Sequence, residues 1–226
     1  MDYRVATRPD MLIAVVGHGR SPEQRGWGSL IDDCDVVLRL WDWEWQDKED
    51  YGRKYDIGYY TANRFYIKKL TEFSLARPSV TWIGQVLVEP NRRMDVHTIQ
   101  GAKTKLFDDT GWLKIGTKLG GKGNNGRFIL SRGACTACWA AENIQDGSTL
   151  VLVGFDNVRA ETVLPLDEAF PPAFRTNQGT ISFSGYPTEA GQTKEGPHDF
   201  AVEGKIIQAV AKKHCVEVVH AQDFWE

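Results

Sequence analysis

Apolar residues along this chain collect in short continuous runs, which longer stretches of mixed polarity separate. The runs that we interpret as strands are residues 11–16, 35–40, 56–61, 79–84 and 149–155. Continuous apolar runs of this length are typical of strands buried on both faces of a parallel sheet. Helical patterns lie between them, most clearly at residues 65–76 and 134–143. This alternation predicts an α/β fold.

The first strand run ends in a glycine pair, Gly17-His18-Gly19. Glycines at the end of a buried strand let the backbone turn sharply and approach a ligand closely. In an open α/β sheet, a nucleotide or phosphate binds at such a place. The residues from Arg25 predict a short helical turn that leads into the second strand run, in which Arg39 is the last charged residue. We therefore expect a ligand site where the first strand ends.

Chain length and charge narrow the classes of function. A chain of 226 residues and 25.4 kDa suits one α/β domain, and we expect a single domain over residues 1–226. A chain of this size buries roughly three-quarters of its surface on folding. The net charge is −3, from 27 basic and 30 acidic residues, without a long run of like charge. This charge pattern disfavours a dedicated nucleic-acid or membrane-surface binder.

No segment of the sequence predicts insertion into a membrane. No stretch approaches the roughly 18 consecutive apolar residues of a transmembrane helix. The first ten residues carry charges instead of the apolar core of a signal peptide. We expect a cytoplasmic protein.

The cysteines number four, at Cys34, Cys135, Cys138 and Cys215. In a chain of this length they do not form the framework of a small disulfide-rich secreted protein. Cys135 and Cys138 would lie on one face of a helix, and no second pair of Cys or His has zinc-ligand spacing. We interpret this pair as packing residues. A metal or redox role is the alternative.

A second candidate anion site begins at Ser131-Arg132-Gly133, before a helical pattern and the strand run that ends in Gly154-Phe155. The start of a helix offers amide donors and a partial positive charge to an anion. These residues are therefore candidate ligands for a phosphate or a sugar carboxylate. A simple N-cap role for Ser131 is the alternative.

The last segment of interest is Pro197 to Glu203. Pro197 precedes a helical pattern, so His198 is expected at the start of a helix. A histidine at such a place can act as a general base or can merely pack or cap the helix.

Three of these segments, taken in order, resemble the sialylmotifs of glycosyltransferase family 29, the eukaryotic-type sialyltransferases. Residues 11–41 resemble the large motif, residues 128–155 the small motif, and His198 to Glu203 the very small motif His-x-x-x-x-Glu. The resemblance implies a single α/β/α sandwich of the transferase A type around a mainly parallel sheet. It also implies an inverting glycosyltransferase in which His198 deprotonates the acceptor hydroxyl and Glu203 orients the loop or the histidine.

The resemblance implies a donor that is a cytidine monophosphate sugar, typically a sialic acid, and an acceptor that is a glycan or another hydroxyl compound. No cofactor is implied. The implied donor-binding residues are Gly17, His18, Gly19, Arg39, Trp41, Tyr60, Thr61, Ser131, Arg132, Gly133, Gly154 and Phe155. Tyr186 would be the surviving member of the family's His-Tyr pair, and the resemblance implies a supporting role for it.

Two residues depart from the family at its nucleotide contacts. His18 and Trp41 stand where the family has asparagines that contact the nucleotide. We predict that His18 supplies a replacement polar contact and that Trp41 supplies a stacking surface. Trp41, Trp43 and Trp45 alternate with acidic residues, which suits either stacking on a sugar or base or covering the edge of the sheet.

The resemblance also implies expectations about metal dependence, the family's disulfide and the source organism. Because the implied leaving group is a monophosphate, we expect metal independence and assign no metal to the acidic pairs Asp33/Asp35 and Asp42/Glu44. The family's disulfide would need cysteines near residues 12 and 147, where this chain has none. Animal members carry a membrane anchor, so its absence suggests a bacterial or viral source, such as a phage.

For some segments the sequence does not decide between a functional role and a packing role. Tyr60 and Thr61 could contact the donor phosphate or pack the sheet. Between residues 90 and 126 periodicity fades, and no element is predicted there. The glycine cluster at residues 120–126 lacks the Gly-Lys-Ser/Thr of a Walker loop. It is either a mobile loop near the site or a plain surface loop.

Other functions compete with the sialyltransferase interpretation. One is a viral transferase that glycosylates a modified base in DNA, although the near-neutral charge does not favour a nucleic-acid acceptor. A second is a non-catalytic nucleotide-binding module. A third is a Rossmann-type enzyme with a nucleoside-diphosphate or methyl donor, but Arg39 and its neighbours stand where that fold needs an acidic residue for the ribose.

Overall fold

The computed structural model describes residues 10–40, 46–61, 64–86, 99, 102–121, 128, 130–143, 146–159 and 199–226. Within these residues the strands form one sheet of seven, in the order β5-β4-β3-β2-β1-β6-β7. Every neighbouring pair is parallel. The strands are β1 (Leu12–Val16), β2 (Val36–Leu40), β3 (Ile57–Thr61), β4 (Thr81–Val86), β5 (Thr104–Asp108), β6 (Thr149–Val153) and β7 (Glu217–His220).

Helices flank this sheet, so the α/β fold with a parallel sheet is confirmed. The described helices are α1 (Gly28–Asp33), α2 (Lys48–Tyr51), α3 (Arg64–Leu75), α4 (Thr110–Lys118), α5 (Arg132–Asn143), α6 (Asp156–Arg159), α7 (Phe200–Lys213) and α8 (Ala221–Trp225). None of the helices within the described ranges combines the length and apolar composition that crossing a bilayer requires.

Both faces of the central strands are buried, which explains the continuous apolar runs. On one face, Ile13 and Val15 of β1 belong to a core that also contains residues of α4, α5 and α7. On the other face, Ala14 and Val16 pack with Trp27 and with residues of α1 and α8. Because successive side chains of a strand point to opposite faces, such a strand needs apolar residues at every position.

The elements that the sequence pattern missed lie mainly at the edges of the sheet. β5 and β7 are the two edge strands, and their side chains are partly or fully exposed. An edge strand covered on one face needs no continuous apolar run, so Thr104 to Asp108 was not predicted. The helices α4 and α8, which follow these strands, were missed with them.

The strand order creates a switch point in the centre of the sheet. From β1 the chain adds β2, β3, β4 and β5 on one side, and it then returns to place β6 and β7 on the other side. In sheets of this kind ligands bind outside the carboxyl ends of the strands where the order reverses. Here that crevice lies beyond Val16 of β1 and Val153 of β6.

The cysteines are free in the structure, and three of them are buried: Cys34, Cys135 and Cys138. Cys135 and Cys138 are fully buried in the core between α5 and the sheet. Burial raises the pKa of both thiols well above the ordinary value. Protonated, enclosed thiols of this kind are packing residues, as the sequence analysis expected.

Candidate functional site

The loop after β1 is bonded to the loop after β6 at the switch point. The Gly17 amide donates to the Val153 carbonyl at 2.8 Å, and the Gly19 amide donates to the Gly154 carbonyl at 2.9 Å. The hydroxyl of Tyr51, from α2, donates to the Gly19 carbonyl at 2.7 Å. The predicted residues Gly17, Gly19 and Gly154 therefore lie together.

These glycines are needed because the two loops touch. A Cβ atom on Gly17 would lie 2.7 Å from the Gly154 carbonyl oxygen and 3.2 Å from the Phe155 ring. A Cβ atom on Gly19 would lie 2.6 Å from the same oxygen and 2.7 Å from the Asp156 carboxylate. Gly154 has a φ of +67°, which favours glycine. Contact between the loops thus accounts for the Gly-x-Gly pattern without a ligand.

Aspartates of the protein accept hydrogen bonds from the loop's own amides. One oxygen of Asp156, in α6, accepts from the amides of Arg20 and Ser21 at 2.6 and 3.0 Å. The Asp50 carboxylate accepts from the amides of residues 24–26 at 2.7 to 3.0 Å. Anions already bind these amides. These five amides therefore already have carboxylate partners, and the predicted donor contacts of Gly17, His18 and Gly19 stay predictions.

Gln46, for which the sequence pattern predicted no role, is bonded to the same loop. Its Nε2 atom donates to the Gly17 carbonyl at 2.7 Å, and the side chain is 3% exposed. His18 is also buried, at 6% exposed. Trp41 lies outside the described residues, so its predicted stacking role stays a prediction.

The start of α5 is tied to α7 by a buried carboxylate. Glu203 is fully buried, and its two oxygens accept from the Ser131 amide and hydroxyl, each at 2.6 Å. The Ser131 hydroxyl oxygen also accepts from the Ala134 amide at 3.2 Å, which makes Ser131 an N-cap. Ser131 therefore caps α5 and holds Glu203, which fixes the relative position of the two helices.

Phe155 connects the start of α5 with the loop after β1. A Cβ atom on Gly133 would lie 3.2 Å from its ring, as would one on Gly17. The ring is 6% exposed. Gly133 and Arg132 lie in the first turn of α5, whose amides have no partner within a helix. The segments predicted to form the donor site therefore meet around Phe155.

Arg39 lies inside the protein, where its side chain is bonded to backbone carbonyls. The side chain is completely buried; Nε donates to the Lys54 carbonyl at 2.7 Å and one terminal nitrogen donates to the Tyr51 carbonyl at 2.6 Å. Burial lowers the pKa of Arg39 to about 10, while the nearby Asp32 carboxylate opposes that shift. These contacts hold the segment after α2 against the sheet. Two of its nitrogens are thus bonded to backbone carbonyls, and the predicted donor contact of Arg39 stays a prediction.

Tyr60 also lies away from the α5 side of the sheet. It is completely buried in a cluster with Trp82, and burial raises its pKa to about 12. The tyrosine of β3 that faces the α5 core is its neighbour Tyr59. Tyr60 is thus packed in this cluster, and Thr61 is partly exposed at the carboxyl end of β3. The predicted donor contacts of both residues stay predictions.

Tyr59 belongs to a buried polar chain that the sequence did not suggest. Its hydroxyl donates to the Gln85 amide oxygen, and the Gln85 amide nitrogen donates to an Asp109 oxygen at 2.8 Å. The Thr61 side chain also hydrogen-bonds with Tyr59. Burial raises the pKa of Asp109, although the Gln85 bond lowers it. The chain links the end of β3 to the residue before α4.

The expected general base lies next to a described helix start. Asp199 is the N-cap of α7, and its side chain accepts from the Val202 amide at 3.2 Å. The predicted helix after Pro197 is thus confirmed. His198 and Tyr186 lie outside the described residues, so their roles stay predictions. Among the described residues, no three or more His, Cys, Asp or Glu side chains gather as metal ligands would.

No protein-family model matches the sequence, and no curated protein matches it. Similar solved structures include two crystal structures of a mammalian sialyltransferase, one in complex with Gal-beta-1-3GalNAc-ortho-nitrophenol. Each is 14% identical to this chain with a TM-score of 0.49, and the match covers 93% of this chain and 69% of the solved chain. The α/β assignment itself rests on the sheet order described above.

Proposed function

We propose that this protein is an inverting glycosyltransferase that moves a sugar, sialic acid or a related one, from a CMP-sugar to an acceptor hydroxyl. The observation that carries the proposal is the meeting of three sequence segments at the switch point. The loop after β1 touches Gly154 and Phe155, Phe155 touches Gly133, and Ser131 binds Glu203 of α7. These segments are the ones that resemble the sialylmotifs.

In the proposed reaction, the acceptor oxygen attacks the anomeric carbon while His198 takes its proton. The bond between that carbon and the phosphate oxygen breaks through a transition state of oxocarbenium character, and CMP leaves. The helix dipole at the start of α5, near Arg132 and Gly133, would stabilise the phosphate charge. Glu203 would act as a positioning residue, because it links Ser131 to the helix that begins after His198.

The donor is tested by calorimetry with CMP, CDP, UDP and GDP. We expect CMP to bind, because the proposed donor leaves a cytidine monophosphate. Binding of UDP or GDP without detectable CMP binding would overturn the proposal, and so would the absence of transfer from CMP-sialic acid to any glycan acceptor.

Chelation separates the proposed chemistry from that of nucleoside-diphosphate donors. Many diphosphate-sugar transferases use a divalent ion on the leaving group, whereas a monophosphate leaving group has no diphosphate to hold one. We expect transfer to continue in excess EDTA. Loss of turnover that manganese or magnesium restores would contradict the proposed donor class.

A further inference from the structure

Gln46 is a buried amide beside the carboxyl end of β1 with only one of its two polar atoms hydrogen-bonded to a described residue. Its side chain is 3% exposed, and only its amide nitrogen is used, in the bond to the Gly17 carbonyl. Among the described residues, its amide oxygen is buried without a hydrogen-bond partner. Most buried amide oxygens in proteins have a partner, so this one points to a missing contact.

The orientation of the Gln46 amide is fixed by its surroundings. The Gly17 carbonyl can only accept a hydrogen bond, so the Gln46 atom that faces it must be the nitrogen. Exchange of the two amide atoms would bring two acceptors together. Oε1 is therefore the unpartnered atom, and it can only accept.

The position of Oε1 follows from amide geometry. The oxygen and nitrogen of an amide lie about 2.3 Å apart, given standard bond lengths. Nε2 lies 2.7 Å from the Gly17 oxygen, which sits directly beyond β1. Oε1 is thus within about 5 Å of the strand end that borders the switch-point crevice.

Two other polar atoms around this loop are also buried without a hydrogen-bond partner among the described residues. They are Ser21 Oγ and Asp156 Oδ1. Both residues belong to the contact between the loop after β1 and α6. Oxygens of an amide and a carboxylate repel phosphate oxygens, but they suit hydroxyl and amino groups.

We propose that Gln46 is a specificity residue of the nucleotide site, whose Oε1 accepts a hydrogen bond from a hydroxyl or amino group of the nucleoside. The sequence resemblance assigns no role to this residue. The inference rests on the proposed function, because it requires a nucleotide ligand. It would add a polar contact to a site in which the sequence has His18 and Trp41 in place of the family's two asparagines.

The test is a thermodynamic cycle between the protein and its ligand. Calorimetry compares CMP with UMP, which lacks the amino group, and with 2′-deoxy-CMP and 3′-deoxy-CMP, which each lack one hydroxyl. The wild-type protein should bind CMP about tenfold or more tightly than the analogue that lacks the contacted group. In Gln46→Met that preference should fall to about one, because the acceptor is gone.

The control is Gln208→Met, at an exposed position of α7, which should keep the wild-type preference. A structural role of Gln46 would lower the affinity for all four ligands by one factor and leave their ratios unchanged. That result would overturn the inference while the proposed function stands.

Thermal unfolding shows whether Gln46→Met is folded. Two further outcomes depend on the wild-type protein alone. Equal binding of CMP and all three analogues by the wild-type protein would overturn the inference. Failure of the wild-type protein to bind any nucleoside monophosphate would overturn both the inference and the proposed function.

Discussion

The starts of α5 and α4 face the same edge of the sheet, but the protein secures them differently. At α5, Ser131 caps the helix and also binds Glu203, a carboxylate 72 residues away in the sequence. At α4, Asp109 precedes the helix without capping it through its side chain, which instead accepts from Gln85 of β4. The first arrangement joins two helices, and the second joins a helix to the sheet.

The start of α5 belongs to the proposed donor site, whereas the start of α4 contains none of its proposed residues. Glu203 connects segments that all resemble sialylmotifs, and it lies in the helix that begins just after His198. The Asp109 chain ends at Thr61 through Gln85 and Tyr59, so it ties the end of β3 to β4 and to the residue before α4. We therefore expect changes near α5 to affect both turnover and stability, and changes near α4 to affect mainly stability.

The largest effect should come from His198→Ala. If His198 is the general base, the rate of transfer should fall by about 10²- to 10⁴-fold. Donor affinity should stay within a few-fold, because the acceptor hydroxyl is the partner of the base. Single-turnover transfer and donor calorimetry measure the two quantities together.

His214→Ala is the matched control, because His214 is the C-cap at the opposite end of the same helix. It should leave turnover nearly unchanged. If His198→Ala keeps most of the activity, His198 is not the general base.

The next effect in size concerns Glu203. Glu203→Ala removes two short hydrogen bonds to Ser131 and leaves a partly buried amide without its acceptor. We expect a loss of about 2–4 kcal/mol in the free energy of unfolding. Glu203→Gln should lose less, because one acceptor oxygen remains. Urea unfolding monitored by circular dichroism measures both variants.

Glu217→Ala provides the control for a lost glutamate. Glu217 is exposed on β7 and accepts from the Thr149 hydroxyl at 3.2 Å. Exposed contacts of this kind contribute roughly 0.5 kcal/mol or less. Equal stability of Glu203→Ala and Glu217→Ala would mean that the link between α5 and α7 is energetically unimportant.

The sequence predicted the α5 side far better than the α4 side, for a physical reason. Strands buried on both faces, such as Leu12–Val16, leave a continuous apolar run that is visible without a structure. The edge strand Thr104–Asp108 does not, so α4 and Asp109 were missed with it. The partners of Arg39 and Gln46 are backbone carbonyls, and no side-chain pattern reveals such contacts.

A smaller effect compares the glycines in the first turns of the two helices. A Cβ atom on Gly111 of α4 would meet nothing within 4 Å, whereas one on Gly133 of α5 would meet the Phe155 ring at 3.2 Å. Gly111→Ala should therefore stabilise the protein by about 0.5–1 kcal/mol through helix propensity. Gly133→Ala should gain less, or lose stability, because the ring must move. Equal gains in thermal unfolding would show that Phe155 does not pack tightly on α5.

The smallest effect should come from Asp109→Asn, which conserves shape and leaves an oxygen for Gln85. Burial raises the pKa of Asp109 above its usual 3.8, so the folded protein holds this proton more tightly than the unfolded chain does. The stability that this adds is fully present below pH 3.8 and is lost as the pH rises through the folded-state pKa. The variant has no such group, so its unfolding free energy relative to wild type should increase as the pH rises.

Urea unfolding over a pH series tests this, with Asp146→Asn at an exposed position as the control for charge loss. A difference between Asp109→Asn and wild type that stays constant with pH, or that decreases as the pH rises, would show that Asp109 is not a desolvated carboxylate and that α4 is secured in another way.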